Sequence, residues 1–247
     1  IGSFDKAMII YQEVLNQAER KFDKFNMGVS LLNMGAVYEK KGEYKKAITH
    51  IERSLLYGNE VGDKLGEGWC RNSLGVIYID IGDYENALDS FNLSKTIFEL
   101  LGEKLRISMT LNGIGMVNYM KGNYNAALSN YTEAMKIEEE FGNDARISQM
   151  INNIAGIYLQ KGDYNKMLSY LLKALKIEEK LQNKHGIGLL LNNISGVYLK
   201  TFDFENALEY LLSSLKLRKE MGEKSGIASS LNNLGHLFKE KGEYDIA

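Results

Sequence analysis

Asparagine amides recur along this chain at a constant interval, and they are the side chains best suited to binding a ligand. An amide carries two N–H donors and one carbonyl acceptor, so it can pair with both the N–H and the C=O of an extended peptide backbone. A regular series of such amides would make repeated contacts that tolerate many peptide sequences. Five asparagines lie 40 residues apart, at Asn72, Asn112, Asn152, Asn192 and Asn232.

Two simpler explanations of this series stay open. Asparagine on a solvated surface is harmless, and a repeat that arose by duplication would retain the residue without a function. Asn192 and Asn193 stand together in "LLLNNISGVYLK", whose apolar residues follow a helical spacing. Because asparagine is a poor helix former and costs free energy when it is buried without a partner, both residues need an explanation.

The other reactive side chains do not form a catalytic or metal-binding pattern. Cys70 is the single cysteine, and His50, His185 and His236 lie far apart with no cysteine at ligand spacing. Catalysis needs a nucleophile, a base and an orienting group in one pocket, and a zinc site needs several such ligands. The carboxylates of "KIEEE" and "KIEEK" are typical of a solvated helix face. We therefore predict that the chain is not an enzyme and holds no metal and no cofactor.

Composition narrows the choice of partners. The formal net charge is −2, from 30 basic and 32 acidic residues among 247, whereas nucleic-acid-binding domains usually carry a basic excess on one face. No apolar run reaches the roughly 20 residues that cross a bilayer, although the sequence does not begin with Met and a leader or span outside it stays open. We expect no nucleic acid and no direct membrane contact within this sequence. We expect a cytoplasmic location, with a periplasmic one left open for part of a membrane sensor.

The period of the sequence predicts the elements that position these side chains. Glycine, a polar residue and tyrosine recur together every 40 residues, at 42, 82, 122, 162 and 242. Apolar residues within each period are spaced three and four apart, which is typical of amphipathic helices. The chain has 24 glycines and no proline, and proline breaks helices whereas glycine ends them. Each period is therefore predicted to be two helices joined by a short turn. Small residues that would let the two helices approach closely recur at Gly35, Gly75, Gly115, Ala155, Ser195 and Gly235.

The repeated motif resembles the tetratricopeptide repeat. "SLGVIYIDIGDYENAL" and "LNNLGHLFKEKGEYDIA" are close to the family consensus, and six copies in register cover the chain. The unit is 40 residues long instead of about 34, and this longer form is similar to repeats of spindle-orientation adaptors, kinesin light chains and bacterial signalling proteins. The resemblance implies an all-α, right-handed superhelical solenoid of antiparallel helical hairpins, with about twelve helices.

We expect one array over residues 1–247, as a fragment of a longer chain. A lone second helix should lie at about 4–22 and a final first helix at about 226–241. The predicted boundaries are a partial repeat at 1–25, full repeats at 26–65, 66–105, 106–145, 146–185 and 186–225, and a partial repeat at 226–247.

The resemblance also implies that the first helix of each repeat lines a concave groove, in which the family holds an extended peptide or a partner's helix. The asparagine series would face this groove, and apolar residues close to one another would form its middle. The alternative is that these side chains pack on each other in a tighter superhelix. The other expected groove residues are Trp69, Met109, Met116, Ile79 and Tyr119, with Gly156 and Gly196 leaving room beside them.

A second polar series matches a consensus asparagine of the family. It precedes the recurring small residue by two positions. We interpret it as structural, with its amides bonding neighbouring helix ends or turns. Its members are Asn33, Ser73, Gly113, Asn153, Asn193 and Asn233.

Phe202 departs from the pattern, because it replaces the turn glycine in "KTFDF". A non-glycine residue that keeps the left-handed conformation there costs about 1 kcal/mol. Two outcomes stay open: the strained conformation is kept, or the turn rearranges and exposes Phe202 as a contact.

These observations favour a protein–protein interaction scaffold that binds a largely neutral protein or peptide segment in the groove. The alternative is a sensory or regulatory input domain of a larger bacterial signalling protein, such as a histidine kinase. Self-association through the ends of the solenoid is a third hypothesis, because terminal repeats without polar caps leave apolar faces unpaired.

Overall fold

The computed structural model describes residues 2–243, and within them it contains twelve α-helices and no strand. Tyr244 and Ala247, which continue the repeat pattern, lie outside the described residues. The helices are α1 (Ser3–Arg20), α2 (Lys24–Lys40), α3 (Tyr44–Val61), α4 (Lys64–Asp80), α5 (Tyr84–Leu101), α6 (Lys104–Met120), α7 (Tyr124–Glu140), α8 (Asp144–Gln160), α9 (Tyr164–Lys180), α10 (Lys184–Lys200), α11 (Phe204–Met221) and α12 (Lys224–Glu240).

The chain divides into two compact units, the first ending at Ala134 and the second beginning at Met135. By their place in the repeat, the even-numbered helices are first helices and the odd-numbered helices are second helices. In the first unit α2 packs on α3 and α4 packs on α5, and both α2 and α6 contact α4. In the second unit α8 packs on α9, α10 packs on α11, and α10 also contacts α12. The predicted all-α array of antiparallel helical hairpins is confirmed, and the surface formed by first helices is the first-helix face.

A residue in the left-handed conformation follows every helix, at positions 20 residues apart from 22 to 242. Nine of these twelve residues are glycines, which reach positive φ without a steric penalty. The other three among the described residues are Phe22, Gln182 and Phe202, with φ of 53°, 54° and 59°. Phe202 therefore keeps the strained conformation, and its turn is not rearranged.

The acidic residue after the turn caps the second helix only when it is aspartate. The side chains of Asp83, Asp163 and Asp203 each accept a hydrogen bond from the backbone N–H three residues later. Glu43 occupies the same place and makes no such bond. A short carboxylate is the preferred helix cap, which is why these aspartates cap their helices and Glu43 does not.

Aromatic rings of second helices fill the space above glycines of first helices. A Cβ atom at Gly75 would lie 2.7 Å from the ring of Phe91, and one at Gly113 would lie 2.6 Å from the same ring. In the next hairpin, a Cβ atom at Gly115 would lie 2.7 Å from the ring of Tyr131. These contacts are too short for any side chain, so the glycines set the distance between the helices.

Each complete hairpin also carries a buried serine on one of its two helices at an equivalent crossing. Ser54 on α3 donates to the carbonyl of Gly28 on α2 at 2.7 Å, and two further hairpins repeat this pair. In the remaining two hairpins the serine moves to the first helix and alanine replaces it on the second. The repeats of the first pair are Ser94 with Gly68 and Ser214 with Gly188, and the exchanged pairs are Ser108 with Ala134 and Ser148 with Ala174.

The first helix of the next repeat carries a side chain whose polarity matches the serine or alanine of the preceding second helix. Where the second helix has serine, the following first helix supplies a polar partner, as between Ser214 Oγ and Ser230 Oγ at 3.2 Å. Where it has alanine, as at Ala174, the following first helix supplies Leu190, which is buried. At these junctions the polarity is matched pairwise, as expected for buried hydroxyls. Ser30 on α2, at the same repeat position as Ser230, is the exception, because its Oγ is buried without a hydrogen-bond partner.

The glycine contacts predict opposite effects for two Gly→Ala variants. Gly115→Ala should lower the free energy of unfolding by about 1–3 kcal/mol, because its Cβ would displace the ring of Tyr131. Gly156→Ala should raise it by about 1 kcal/mol, because a Cβ there meets no atom within 4 Å and alanine favours helix. Urea unfolding followed by circular dichroism measures both. A Gly115→Ala variant as stable as Gly156→Ala would contradict this packing.

Candidate functional site

Amide oxygens of the asparagine series join successive first helices in the second unit. Asn152 Oδ1 accepts a hydrogen bond from Asn193 Nδ2 at 3.4 Å, and Asn192 Oδ1 accepts one from Asn233 Nδ2 at 3.2 Å. Ser230 Oγ donates to Asn192 Oδ1 as well, at 3.5 Å. An amide oxygen has two lone pairs, and two donors of the next repeat lie near that of Asn192. Asn192 is only 9% exposed, so little of its amide is open to a peptide, and the expected pairing with the N–H and C=O of a peptide stays a prediction for this series.

The same arrangement begins in the first unit. Asn72 Oδ1 accepts a hydrogen bond from Thr110 Oγ1 at 3.3 Å, which joins α4 to α6. Asn112 is half-buried, and Asn232 on α12 is exposed. The series therefore does not have one uniform environment, because each amide depends on the polar side chain that the next repeat supplies.

The second polar series is structural, but its partners differ from those expected. Asn193 and Asn233 bond the asparagines of the preceding repeat, Asn152 and Asn192, and not helix ends or turns. The reason is their separation of 41 residues, which is one repeat plus one residue. That offset turns each side chain toward the neighbouring first helix.

Trp69 is half-buried, and its ring is partly covered by neighbouring side chains. Its ring meets the edge of Phe98 with centroids 5.9 Å apart, and the Arg106 guanidinium lies over it at 5.4 Å. Arg106 is held in turn by an ion pair with Glu103. The cation of the next repeat thus covers the tryptophan face that the sequence pattern assigns to the groove.

The expected apolar middle separates into two ends of the first-helix face. Trp69 and Met109 are the sixth residues of α4 and α6, whereas Tyr119 is the sixteenth residue of α6. A helix rises about 1.5 Å per residue, so ten residues span about 15 Å. Tyr119 packs beside Tyr124 with centroids 5.8 Å apart, and Met116 is half-buried. The prediction that these residues lie close to one another is wrong.

Ile79 belongs to the hydrophobic core more than to the open face. It is partly buried and packs against the cluster that contains Phe91 and Val117. This position agrees with the packing alternative for the groove residues.

Gly156 and Gly196 lie in the interiors of α8 and α10 without a packing reason. A Cβ atom at either position would meet nothing within 4 Å. Glycine inside a helix costs about 1 kcal/mol relative to alanine, whereas Gly75, Gly113 and Gly115 each lie against an aromatic ring. The two glycines therefore leave open space directly against the backbone of two first helices.

Beside Gly196, a cavity of about 340 Å³ opens between α10 and α12. Its polar residues are absent from the predicted site, although their spacing could have indicated them, because 196 with 236 and 200 with 240 are each one repeat apart. The lining residues are Gly196, Leu199, Lys200, Phe202, Asn233, His236 and Glu240.

Phe202 forms one edge of this cavity while holding a strained backbone. Its side chain is 71% exposed, at φ 59°. The ring meets Phe204 at 6.2 Å and an interplanar angle of 85°, and Phe204 packs on the core of α11 and α12. The exposed ring of Phe202 is therefore connected to the hydrophobic core through Phe204.

Cys70 is unsuited to nucleophilic chemistry. It is 2% exposed, and its thiol donates to Ser54 Oγ at 3.3 Å. Burial raises the pKa of the thiol to about 11, so the thiolate that attacks electrophiles is scarce near neutral pH.

The family follows from these repeats. The tetratricopeptide repeat model matches residues 26–99, 74–140 and 146–220. The chain belongs to the tetratricopeptide repeat family. The repeats thus give it the architecture of a protein-interaction scaffold. Comparison with curated protein sequences finds no match.

Solved structures share the fold at low sequence identity. BtubC (BKLC) from P. vanneervenii is 18% identical with a TM-score of 0.79, over 90% of this chain and 94% of that one. A Rap protein complexed with Competence and Sporulation Factor is 15% identical with a TM-score of 0.71, over 95% and 69%. The Rap conjugation gene regulator of plasmid pLS20, in complex with the Phr* peptide, is 18% identical with a TM-score of 0.69, over 90% and 61%.

Residues 2–243 show neither a membrane-spanning helix nor a metal-binding cluster. No helix there has the length and apolar character needed to span a membrane. No group of three or more histidine, cysteine, aspartate or glutamate side chains in that part of the chain is placed to hold a metal ion.

The raised pKa of Cys70 predicts its reactivity and its effect on stability. A pKa of about 11 instead of 9.0 reduces the thiolate fraction at pH 8 about a hundredfold, so alkylation by iodoacetamide should be at least that much slower in the folded protein than in urea. Because the folded state favours the protonated thiol, this stabilisation is complete below pH 9 and is lost as the pH rises toward 11.

Cys70→Ser is the control, since its stability should lack that loss. Equal alkylation rates in the folded and unfolded protein would contradict the burial of Cys70.

Proposed function

We propose that the first-helix face binds an extended peptide or partner segment through the N–H donors of the asparagine series. The observation that carries the proposal is the hydrogen bonding of the amide oxygens by the next repeat. An amide whose oxygen is held cannot rotate freely, so its N–H groups are oriented before the ligand arrives. Such preorganisation reduces the entropy lost on binding.

The glycines of the second unit support the same ligand geometry. Gly156 and Gly196 leave the backbones of α8 and α10 uncovered, beside Asn152 and Asn192 in the sequence. A peptide main chain can approach a helix closely only where no side chain stands in the way. We propose that a peptide backbone passes over these glycines and accepts hydrogen bonds from the two amides.

The partner is proposed to be a largely neutral protein or peptide segment rather than nucleic acid, since the chain has a formal net charge of −2. One structural relative is a gene regulator in complex with a peptide, which favours this ligand class. Binding without catalysis is the proposed activity. In the first unit, we propose Asn72, Asn112, Met109, Met116 and Tyr119 as further contacts, with Trp69 and Ile79 mostly enclosed.

A regulatory input role is the second candidate, favoured by the same gene regulator. In that case the bound peptide would change the stability of the scaffold instead of only tethering a partner. Hydrogen exchange of α8 to α12 with and without peptide separates the two. Protection confined to the first helices indicates a tether, whereas protection that extends into the second helices α9 and α11 indicates regulation.

The proposal is tested with peptides selected from a random twelve-residue display library. Asn152→Ala should weaken their binding about three- to tenfold, because it removes one or two hydrogen bonds to the peptide. Asn193→Ala is the matched comparison: it breaks the same Asn152–Asn193 bond but keeps the N–H donors of Asn152. It should weaken binding by about twofold, less than Asn152→Ala does, because the donors remain and only their preorganisation is lost. Fluorescence anisotropy with labelled peptide measures both losses.

The double variant Asn152→Ala with Asn192→Ala should lose about ten- to a hundredfold. Circular dichroism confirms that each variant remains folded. If Asn152→Ala and Asn193→Ala weaken binding equally, the asparagine series contributes only to the fold, and the proposal fails.

A further inference from the structure

We infer that the cavity between α10 and α12 receives the side chain of a tyrosine or tryptophan from the bound segment. This inference rests on the proposed function and adds the chemistry of the residue that is recognised. The cavity volume of about 340 Å³ lies at the small end of the range for ligand sites, which suits one large side chain and not a helix.

One wall of the cavity is apolar. Leu199 and the ring of Phe202 stand on either side of the open space at Gly196. An aromatic ring can lie over Gly196, because no side chain covers the helix there, and meet Phe202 edge to face or offset. Such aromatic pairs add about 0.5–1.5 kcal/mol beyond the area that they bury.

The opposite wall offers hydrogen-bond acceptors. Asn233 donates from Nδ2 to Asn192 Oδ1. This bond does not involve Asn233 Oδ1, which can accept a hydrogen bond from an occupant of the cavity. Glu240 supplies a carboxylate on the same helix, with His236 Nε2 3.8 Å from Glu240 Oε1. The hydroxyl of tyrosine and the indole N–H of tryptophan are the donors that combine an apolar body with such a polar tip.

The charges around the cavity do not select an ionic occupant of either sign. Lys200 and Glu240 both line it, so for a charged side chain the attraction to one is offset by the repulsion from the other. A neutral aromatic side chain gains its binding from the apolar wall instead.

The exposed ring of Phe202 is a further observation that favours a contact. Nine of the twelve turn positions carry glycine at the same left-handed conformation, so the fold itself does not require phenylalanine there. Phe22 and Gln182 hold the same conformation, so the strain alone does not mark a function. The feature specific to Phe202 is that its ring, which gains little burial, stands at the edge of a cavity.

Phe22 provides a matched comparison within the chain. It has φ 53° and an 85% exposed ring, but it lies in the other unit and does not line this cavity. Replacing either phenylalanine by glycine removes the same backbone strain. Only the Phe202 change removes a wall of the proposed site.

The test uses N-acetyl amino acid amides as probes, followed by NMR of the backbone signals of Gly196 and Asn233. N-acetyl-tyrosine amide and N-acetyl-tryptophan amide should bind with dissociation constants in the millimolar range, on the order of −4 kcal/mol. N-acetyl-phenylalanine amide, which lacks the hydroxyl, should bind at least about threefold more weakly, and N-acetyl-leucine amide more weakly still.

Three variants complete the experiment. Phe202→Gly and Phe22→Gly should both raise the folded-to-unfolded ratio about fivefold, because both relieve left-handed strain. Phe202→Gly and Gly196→Ala should weaken binding of the tyrosine probe at least about fivefold, whereas Phe22→Gly should leave it within about twofold.

Equal binding of the tyrosine and phenylalanine probes would overturn the inference, as would equal affinities in Phe202→Gly and Phe22→Gly. Absence of any shift at Gly196 and Asn233 with about 20 mM tyrosine probe would overturn it as well. In each case the proposed function stands if library peptides still lose more affinity in Asn152→Ala than in Asn193→Ala. If those two variants bind library peptides equally, the proposed function fails together with its recognition pocket.

Discussion

Hydrogen bonds between equivalent repeats determine what the first-helix face can do. The bond from Asn233 Nδ2 to Asn192 Oδ1, at 3.2 Å, and the bond from Asn193 Nδ2 to Asn152 Oδ1, at 3.4 Å, each connect side chains 41 residues apart. They exist only because the repeat length is constant, since an inserted residue would turn one partner away by about 100° on a helix of 3.6 residues per turn. The same bonds that join the first helices orient the remaining amide donors.

Stability and binding make opposite demands on the glycines of these helices. Gly75, Gly113 and Gly115 lie under aromatic rings, so the packing of the hairpins requires them. Gly156 and Gly196 have no such neighbour, and alanine would suit an isolated helix better. Alanine, which would stabilise these helices, is thus absent where a ligand would need space. Binding sites often keep residues that lower the stability of the fold in this way.

The sequence alone predicts the repeat, the hairpins and the turns, because helical periodicity and a 40-residue register are properties that one chain displays directly. It also indicates Gly156, Gly196 and Phe202 as unusual. It does not predict that Arg106 covers Trp69 or that Asn233 holds Asn192, because those contacts depend on which rotamer faces the adjacent repeat. Trp69 and Tyr119 both occupy groove positions of the repeat, but they lie ten helical positions apart. The rise of the helix therefore separates them by about 15 Å along the helix axis.

Side-chain amide NMR of the second unit's asparagines tests the central claim most directly. With a bound library peptide, the Nδ2–H signals of Asn152 and Asn192 should shift downfield and exchange more slowly with solvent, because these groups gain acceptors. The signal of Asn193 should change little, since its hydrogen bond to Asn152 within the fold persists. Unchanged signals at Asn152 and Asn192 in a peptide-saturated sample would contradict the account.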